Sequence, residues 1–224
     1  INELLARLDQ SLIMQKQFLA DAAHQLKTPL AGLRMQAELA GREIDAGATD
    51  AESLKRSLQQ IAWSSQRAAH MVNQLLAMAR AENREQAMLK QSINLVDIVT
   101  ETVRDFVPRA MEKRIDLGYE GPPTGAGALM HGHAVLVREM VRNLVDNALQ
   151  YTPVAGTVTA RVVLDPVGQA VVLQVEDTGP GIVESERDKV FQPFYRMPAT
   201  LVDGSGLGLA IVREVAMQHG AAVS

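Results

Sequence analysis

Residues 18–33 read Phe18-Leu-Ala-Asp-Ala-Ala-His24-Gln-Leu-Lys-Thr28-Pro29-Leu30-Ala-Gly-Leu33. Within this stretch Leu19, Ala23, Leu26, Leu30 and Leu33 alternate spacings of four and three, and Ala37, Ala40 and Ile44 carry the alternation on. Apolar residues at that spacing form one stripe along a helix. Leu5, Leu8 and Leu12 extend the stripe upstream, with a polar slip at Gln15. With Ala23 at heptad position a, His24 falls at b, on the solvent side of the rod. That excludes a core histidine satisfied by buried hydrogen bonds and leaves either an incidental surface histidine or a functional one. Pro29 tilts the balance. A proline in a helix interior costs about 3 kcal/mol and frees the carbonyl four residues back, here that of Gln25, so the rod is expected to kink or loosen beside an exposed imidazole. Thr28 lies one turn after His24 on the same face and is placed to position a water or a phosphoryl oxygen.

A second stripe runs Leu54, Leu58, Ile61, Ser65, Ala68, Val72, Leu75 and Ala79, again in four-three alternation. Gly47 and Ala48-Thr49-Asp50 separate the stripes, with Thr49 or Asp50 suited to cap the second helix. The pattern predicts an antiparallel helical hairpin over residues 1–90. Two amphipathic helices cannot bury both full stripes against each other. Pairing two hairpins into a homodimeric four-helix bundle would do so; an intramolecular coiled coil packed on the rest of the chain is the alternative.

The remainder of the chain is built differently. Of nine prolines only Pro29 precedes residue 90, and of sixteen glycines only Gly32, Gly41 and Gly47 do. The first part is rich in helix formers; the rest is punctuated by Gly and Pro. This shift predicts a boundary near residues 88–94 and a second domain over 91–224. A length of 224 residues accommodates two small domains at roughly 100–200 residues for a typical one. Apolar residues at 47% and charged residues at 21% are a globular balance. A net charge of -4 gives no basic field for nucleic acid, and 4% aromatics give no base-stacking platform. The lack of cysteine excludes disulfides, thiolate metal sites and a cysteine nucleophile. No run of about 18 apolar residues exists, so no membrane span or direct membrane contact is expected within this stretch. The start at Ile1 and the apolar end at Val223-Ser224, which reads as an unfinished strand, are what is expected of a piece of a longer protein.

In the second part, Asn94–Met111, Leu136–Tyr151 and Leu207–His219 have helical spacing. Thr157–Leu164 and Ala170–Glu176 are β-branched runs flanking Asp165-Pro166-Val167-Gly168, a hairpin signal. Long helices with an antiparallel hairpin predict an α/β sandwich, with helices on one face of a mixed sheet. Glu139, Asn143 and Asn147 are four apart and share a helix face. Carboxylate and amide oxygens in a row suit Mg²⁺; a plain polar solvent face has the same spacing. Asp177-Thr-Gly179-Pro-Gly181 follows a strand, where an Asp can accept a hydrogen bond from an exocyclic amine and glycines let backbone approach a flat base. Gly204-Ser-Gly206-Leu207-Gly208 opens a helix, an anion-binding arrangement. His70, His131, His133 and His219 have no assignable partners in the sequence and are expected to be structural or solvated rather than functional. The lack of His-x-x-x-His or Glu-x-x-His spacing argues against zinc or iron.

The His24 stretch resembles the phospho-acceptor box of bacterial sensor histidine kinases, and its wording is most similar to proteobacterial kinases of the tricarboxylate-sensor kind. The resemblance covers nearly the whole chain: a dimerisation and histidine-phosphotransfer hairpin, then a catalytic ATP-binding domain of the histidine kinase, gyrase and Hsp90 type. It implies autophosphorylation of His24 from MgATP and transfer to an aspartate on a response-regulator receiver domain, with Thr28 assisting the reverse dephosphorylation. The N box would comprise Glu139, Asn143 and Asn147, with Asn147 and Glu139 toward Mg²⁺ and Tyr151 lining the nucleotide pocket. The G1 box would be Asp177, Gly179 and Gly181, with Asp177 reading the adenine amine. The G2 box would be Gly204, Gly206, Leu207 and Gly208, at the triphosphate. Phe191-Gln-Pro-Phe194-Tyr-Arg196 is similar to the F box, followed by an ATP lid over Met197–Asp203. Arg196 would contact phosphate, and Phe191 and Phe194 would pack the hinge. The chain would then be the cytoplasmic portion of an inner-membrane protein.

Two positions depart from the family. Gln25 stands where an acidic residue is usual. Its carbonyl can fix the imidazole tautomer, but it cannot act as a base, so autophosphorylation is expected to be slower or to depend differently on pH. Gln150 stands where Lys usually precedes the tyrosine, removing a phosphate-contacting cation. Two other readings follow: an ATPase on the same nucleotide fold, and a catalytically silent or phosphatase-only dimeric scaffold.

Overall fold

The computed structural model describes residues 2–47, 51–82, 90–125, 127–165, 170–197 and 205–224. The chain divides into two compact units, Ile1–Leu76 and Ala77–Ser224. Residues 83–89, around the expected boundary, lie outside the described residues, as do the cap candidates Thr49 and Asp50.

Helix α1 (Asn2–Asp45) and helix α2 (Ala51–Glu82) carry the two stripes. Proline does not divide α1, which runs unbroken through Pro29. The helix closes on Gly47, whose φ of +64° is the left-handed geometry that glycine adopts without penalty. Across the turn Ser53 Oγ donates to Glu43 Oε2 at 3.5 Å. The heptad stripe is split by burial. Leu26, Leu33, Leu54, Ile61, Ala68 and Leu75, all at position d, are half-buried, and Ala40 is buried, while Leu19, also at d, is 60% exposed. Ala23, Leu30, Ala37, Ile44, Leu58, Ser65 and Val72, all at position a, are exposed. Leu30 and Leu58 remain 55% and 56% exposed. The hairpin thus closes one layer of its seam and leaves the other open.

The second unit begins with strand β1 (Gln91–Asn94), helix α3 (Leu95–Lys113), strand β2 (Asp116–Glu120), strand β3 (Leu129–Gly132) and helix α4 (Ala134–Tyr151). Strands β4 (Thr157–Asp165) and β5 (Ala170–Asp177), two single 3₁₀ turns and helix α5 (Gly208–Gln218) follow. Strands β4 and β5 form the expected antiparallel pair, in register from Val158↔Asp177 to Asp165↔Ala170. Strand β2 adds to β4 in parallel, making a mixed sheet of order β2-β4-β5, while β1 and β3 form a separate antiparallel pair. The sequence patterns missed β1, β2 and β3 because they are only four or five residues long and contain one β-branched residue between them, Ile93. Residues 221–224, expected to begin a strand, have no regular structure.

The core lies between helices and sheet. Val96, Val99, Val137, Val141, Val145, Leu149 and Val158 are wholly buried, and each such side chain contributes about 1.5–3 kcal/mol. Asn94 caps α3 by accepting from the Val96 amide at 3.1 Å. On the outer side α3 and α4 run parallel, joined by evenly stepped pairs: Glu101–Arg138 at 2.7 Å, Asp105–Arg142 at 3.0 Å and Arg109–Asp146. Lys113 continues the series, donating to the carbonyls of Leu149 at 2.7 Å and Gln150 at 3.1 Å. This places a cation at the negative end of α4.

Candidate active site

On α1, His24 and Thr28 are exposed and Gln25 is half-buried. Ala22, about 200° round the helix from His24, is buried at 7% exposure. Residues that fill the hairpin seam therefore turn the imidazole outward, and Thr28, one turn on, shares its face.

In the second unit the site is assembled on α4. Asn143 is buried, and its Nδ2 donates to the Glu139 carbonyl at 2.8 Å. A Cβ on Gly208 would stand 3.3 Å from Asn143 Oδ1 and 3.3 Å from both amide atoms of Asn147. Gly208 opens α5, and the first amides of a helix have no partner within it and carry the positive end of its dipole. Oxygen donors from one helix and N–H donors from another therefore converge. The loop ahead of α5 is held just as closely. Gly206, at φ +71°, leaves no room for a side chain: a Cβ would lie 2.6 Å from the Phe194 carbonyl carbon. The Phe194 amide donates to the Gly206 carbonyl at 2.8 Å. Leu207 is wholly buried, so its side chain belongs to the core, while its amide donates to Ser205 Oγ at 3.1 Å.

At the C-terminal end of α4, a Cβ on Gly179 would meet Asp177 Oδ1 at 2.6 Å and the Tyr151 carbonyl oxygen at 3.1 Å. The Gly179 amide donates to Asp177 Oδ1 at 2.8 Å, which fixes an otherwise exposed carboxylate. Tyr151 is half-buried, and Gly181 adopts φ +70°. The Thr178 amide donates to the Thr157 carbonyl at 3.1 Å, and Thr178 Oγ1 accepts from the Thr157 amide at 2.9 Å, so this loop is tied to the start of β4. Thus the Asp177–Gly179 and Gly206–Gly208 loops both pack on the helix that carries Asn143 and Asn147.

Phe191 and Phe194 are half-buried and Arg196 is exposed. Gly204 and the lid positions after Met197 lie outside the described residues. Sequence reasoning missed Ser205, Thr178 and Thr157. The hydroxyls of Ser205 and Thr178 sit inside the quoted glycine motifs, and that placement was the available signal. Beside the Phe194 turn, Glu186 accepts from the Tyr195 hydroxyl and, at 3.1 Å, from Lys189. The Tyr195 bond first, then Lys189, hold the Glu186 carboxyl below its ordinary value. The same contacts raise Tyr195 and Lys189. Burial, then Arg109, lower Lys113, with Asp146 opposing.

His219, for which the sequence alone offered no partner, has a structural place: its Nε2 accepts from the His133 amide at 3.0 Å, and its Nδ1 lies 2.7 Å from the Val215 carbonyl.

Comparison with known proteins follows the same division of the chain. The His Kinase A (phospho-acceptor) domain matches residues 14–84. The family described as histidine kinase-, DNA gyrase B-, and HSP90-like ATPase matches residues 132–224. The chain belongs to the sensor histidine kinases. This histidine kinase chain is 36% identical over 222 residues to the sensor protein kinase PmrB of Pseudomonas aeruginosa, covering 98% of the chain and 44% of that relative. It is 33% identical over 224 residues to the sensor protein QseC of Salmonella typhi, covering 100% of the chain and 47% of that relative. The kinase chain therefore spans about half the length of the curated relatives it matches. Among solved structures, the histidine kinase ThkA in complex with response regulator protein TrrA aligns with a TM-score of 0.69. That alignment covers 95% of this chain and 57% of that one at 20% identity, a likeness of fold alone.

Proposed function

We propose that this chain is the catalytic core of a two-component sensor kinase. It transfers the γ-phosphoryl group of ATP to an imidazole nitrogen of His24 and then to an aspartate on a receiver domain. The observation that carries the reading is the junction of Asn143, Asn147 and Gly208. Here the side-chain amides of both asparagines lie at the N-terminus of α5, with a Cβ on Gly208 only 3.3 Å from them. Phosphoryl transfer depends on in-line positioning and charge neutralisation, and such a junction suits a polyphosphate. The donor set also fits Mg²⁺, a hard cation that prefers oxygen, with Asn147 Oδ1 and the Glu139 carboxylate as its holders. Bound there, the ion would neutralise phosphate charge.

The chain's own residues do the rest. The amides of α5 orient the phosphates, Asp177 accepts from the base's exocyclic amine, and Tyr151 lines the pocket beside Gly179. Arg196 supplies a cation near the Phe194 turn. Gln25 holds the imidazole in one tautomer, and Thr28 orients water for the reverse reaction on the receiver aspartate. The open a layer of the hairpin supports a homodimeric four-helix bundle, since a second copy would supply the missing half of the seam. By the same family reading, the chain is the cytoplasmic part of a membrane-anchored sensor. Among the described residues no helix is long and apolar enough to cross a membrane.

The test is incubation with γ-labelled MgATP, wild type against His24→Ala. Label that is acid-labile, alkali-stable and lost in the variant is the expected result. Steady phosphate release without labelled protein would instead indicate an ATPase. Bound nucleotide without label would favour the scaffold or phosphatase-only reading, for which Gln25 and Gln150 speak.

A further inference from the structure

We infer that His219 is a positioning residue that sets the register of α5 along α4, and so the closeness of Gly208 to Asn143 and Asn147. The inference rests on the nucleotide reading of that junction. Three contacts converge on the His219 ring. Its Nε2 accepts from the His133 amide at 3.0 Å, and its Nδ1 lies 2.7 Å from the Val215 carbonyl. A carbonyl only accepts, so Nδ1 carries the proton and Nε2 is the bare acceptor. The ring also lies against Gly132, where a Cβ would sit 2.9 Å from His219 Cδ2 and 3.0 Å from Nε2.

His133 is the N-cap of α4 and makes no side-chain capping bond, and the first turn of α4 has no acidic residue. The imidazole therefore satisfies a backbone donor at the positive end of α4 while donating to a last-turn carbonyl at the negative end of α5. Both contacts follow the helix dipoles. The two helices run antiparallel: the C-terminus of α5 meets the start of α4 through His219, and the N-terminus of α5 meets Asn143 and Asn147 through Gly208. Eleven residues of α5 separate the two contacts, a span of about 16 Å. A helix held at one end by a ring of fixed tautomer cannot slide at the other. Gly132 is the space that lets the ring seat.

The experiment compares His219→Phe, which keeps a ring and loses both bonds, with His219→Gln, whose side-chain oxygen can replace Nε2 as acceptor. MgATP affinity is measured by calorimetry on the folded chain, and a Val99→Ala variant serves as a control for lost stability alone. Loss of the bond in His219→Phe is expected to weaken MgATP about tenfold. His219→Gln should restore most of the affinity, and Val99→Ala should leave it unchanged. Ring nitrogen shifts of the wild type should show Nε2 unprotonated. Amide exchange in His219→Phe should quicken at both His133 and Ile211, whose amide donates to the Leu207 carbonyl at 2.9 Å beside Gly208. Unchanged affinity in a folded His219→Phe variant, or a ring protonated only on Nε2, would overturn the inference. If the wild type binds no MgATP, the nucleotide reading fails by itself. The exchange data then decide: unchanged exchange at Ile211 would sink the register role.

Discussion

Gln25 is the residue whose chemistry separates this chain from a kinase with a carboxylate beside its acceptor. Its amide can orient the ring, but no proton can leave with it. Gln25→Glu is expected to raise the initial rate of His24 labelling by roughly tenfold and to change its pH profile between pH 6 and 9. An unchanged rate across that range would show that the neighbour plays no part in proton removal. At Gly206 the expected effect is on stability. Any side chain there meets Phe194 backbone at 2.6 Å from a left-handed conformation. Gly206→Ala should therefore cost at least about 2 kcal/mol by urea denaturation. Glu186 gives a pH signature. Its folded value is below its ordinary 4.5, so its contribution is present above that value and lost as pH falls through the lowered one. A stability profile of Glu186→Gln should lack that acid-side loss. The glycines were visible as motifs, but the reasons for them were not. Phe194 at Gly206, Tyr151 at Gly179 and the His219 ring at Gly132 are contacts between distant positions, which no local pattern encodes.

Helices were legible as elements because their apolar period is long and repeated. Strands β4 and β5 were legible because β-branched residues flank a turn sequence. The short strands β1, β2 and β3 are held by pairing and by what packs on them, and Asp116-Leu-Gly-Tyr-Glu120 has almost no strand signal of its own. The seam between α3 and α4 was equally hidden. Its three ion pairs join residues 37 apart, and only the parallel packing brings them together. Each pair is partly exposed, so each is worth little alone. In a double-mutant cycle, Asp105→Ala and Arg142→Ala should couple by about 0.5–1 kcal/mol, and most of that should vanish in about 1 M salt. Arg142 also lies 5.3 Å from the Phe106 ring centre, a contact that this cycle cancels and that a separate Arg142–Phe106 cycle would measure.

For the molecule as a whole, the proposed pairing of two hairpins through the open a layer would make stability a function of concentration. Leu30→Glu with Leu58→Glu places charge on both exposed stripes without touching the half-buried d layer. Sedimentation should show the wild type as a dimer and the double variant as a monomer. The melting temperature should rise with protein concentration for the wild type only. A wild-type monomer at all accessible concentrations would remove the bundle from the reading. The two-domain plan was readable from proline and glycine usage alone. A mixed sheet was expected from the helices and the β4–β5 hairpin, but its parallel strand was not, since β2 joins β4 across β3 and α4. That parallel pairing, Asp116↔Thr157 through Glu120↔Arg161, also orders events on a chain emerging from the ribosome. The hairpin closes from near neighbours and can form early. The face of α4 that gathers the glycine loops waits for β4, and α5 comes later still. Each newly made molecule therefore completes the helix that bears His24 before the glycine loops have any helix face to settle on.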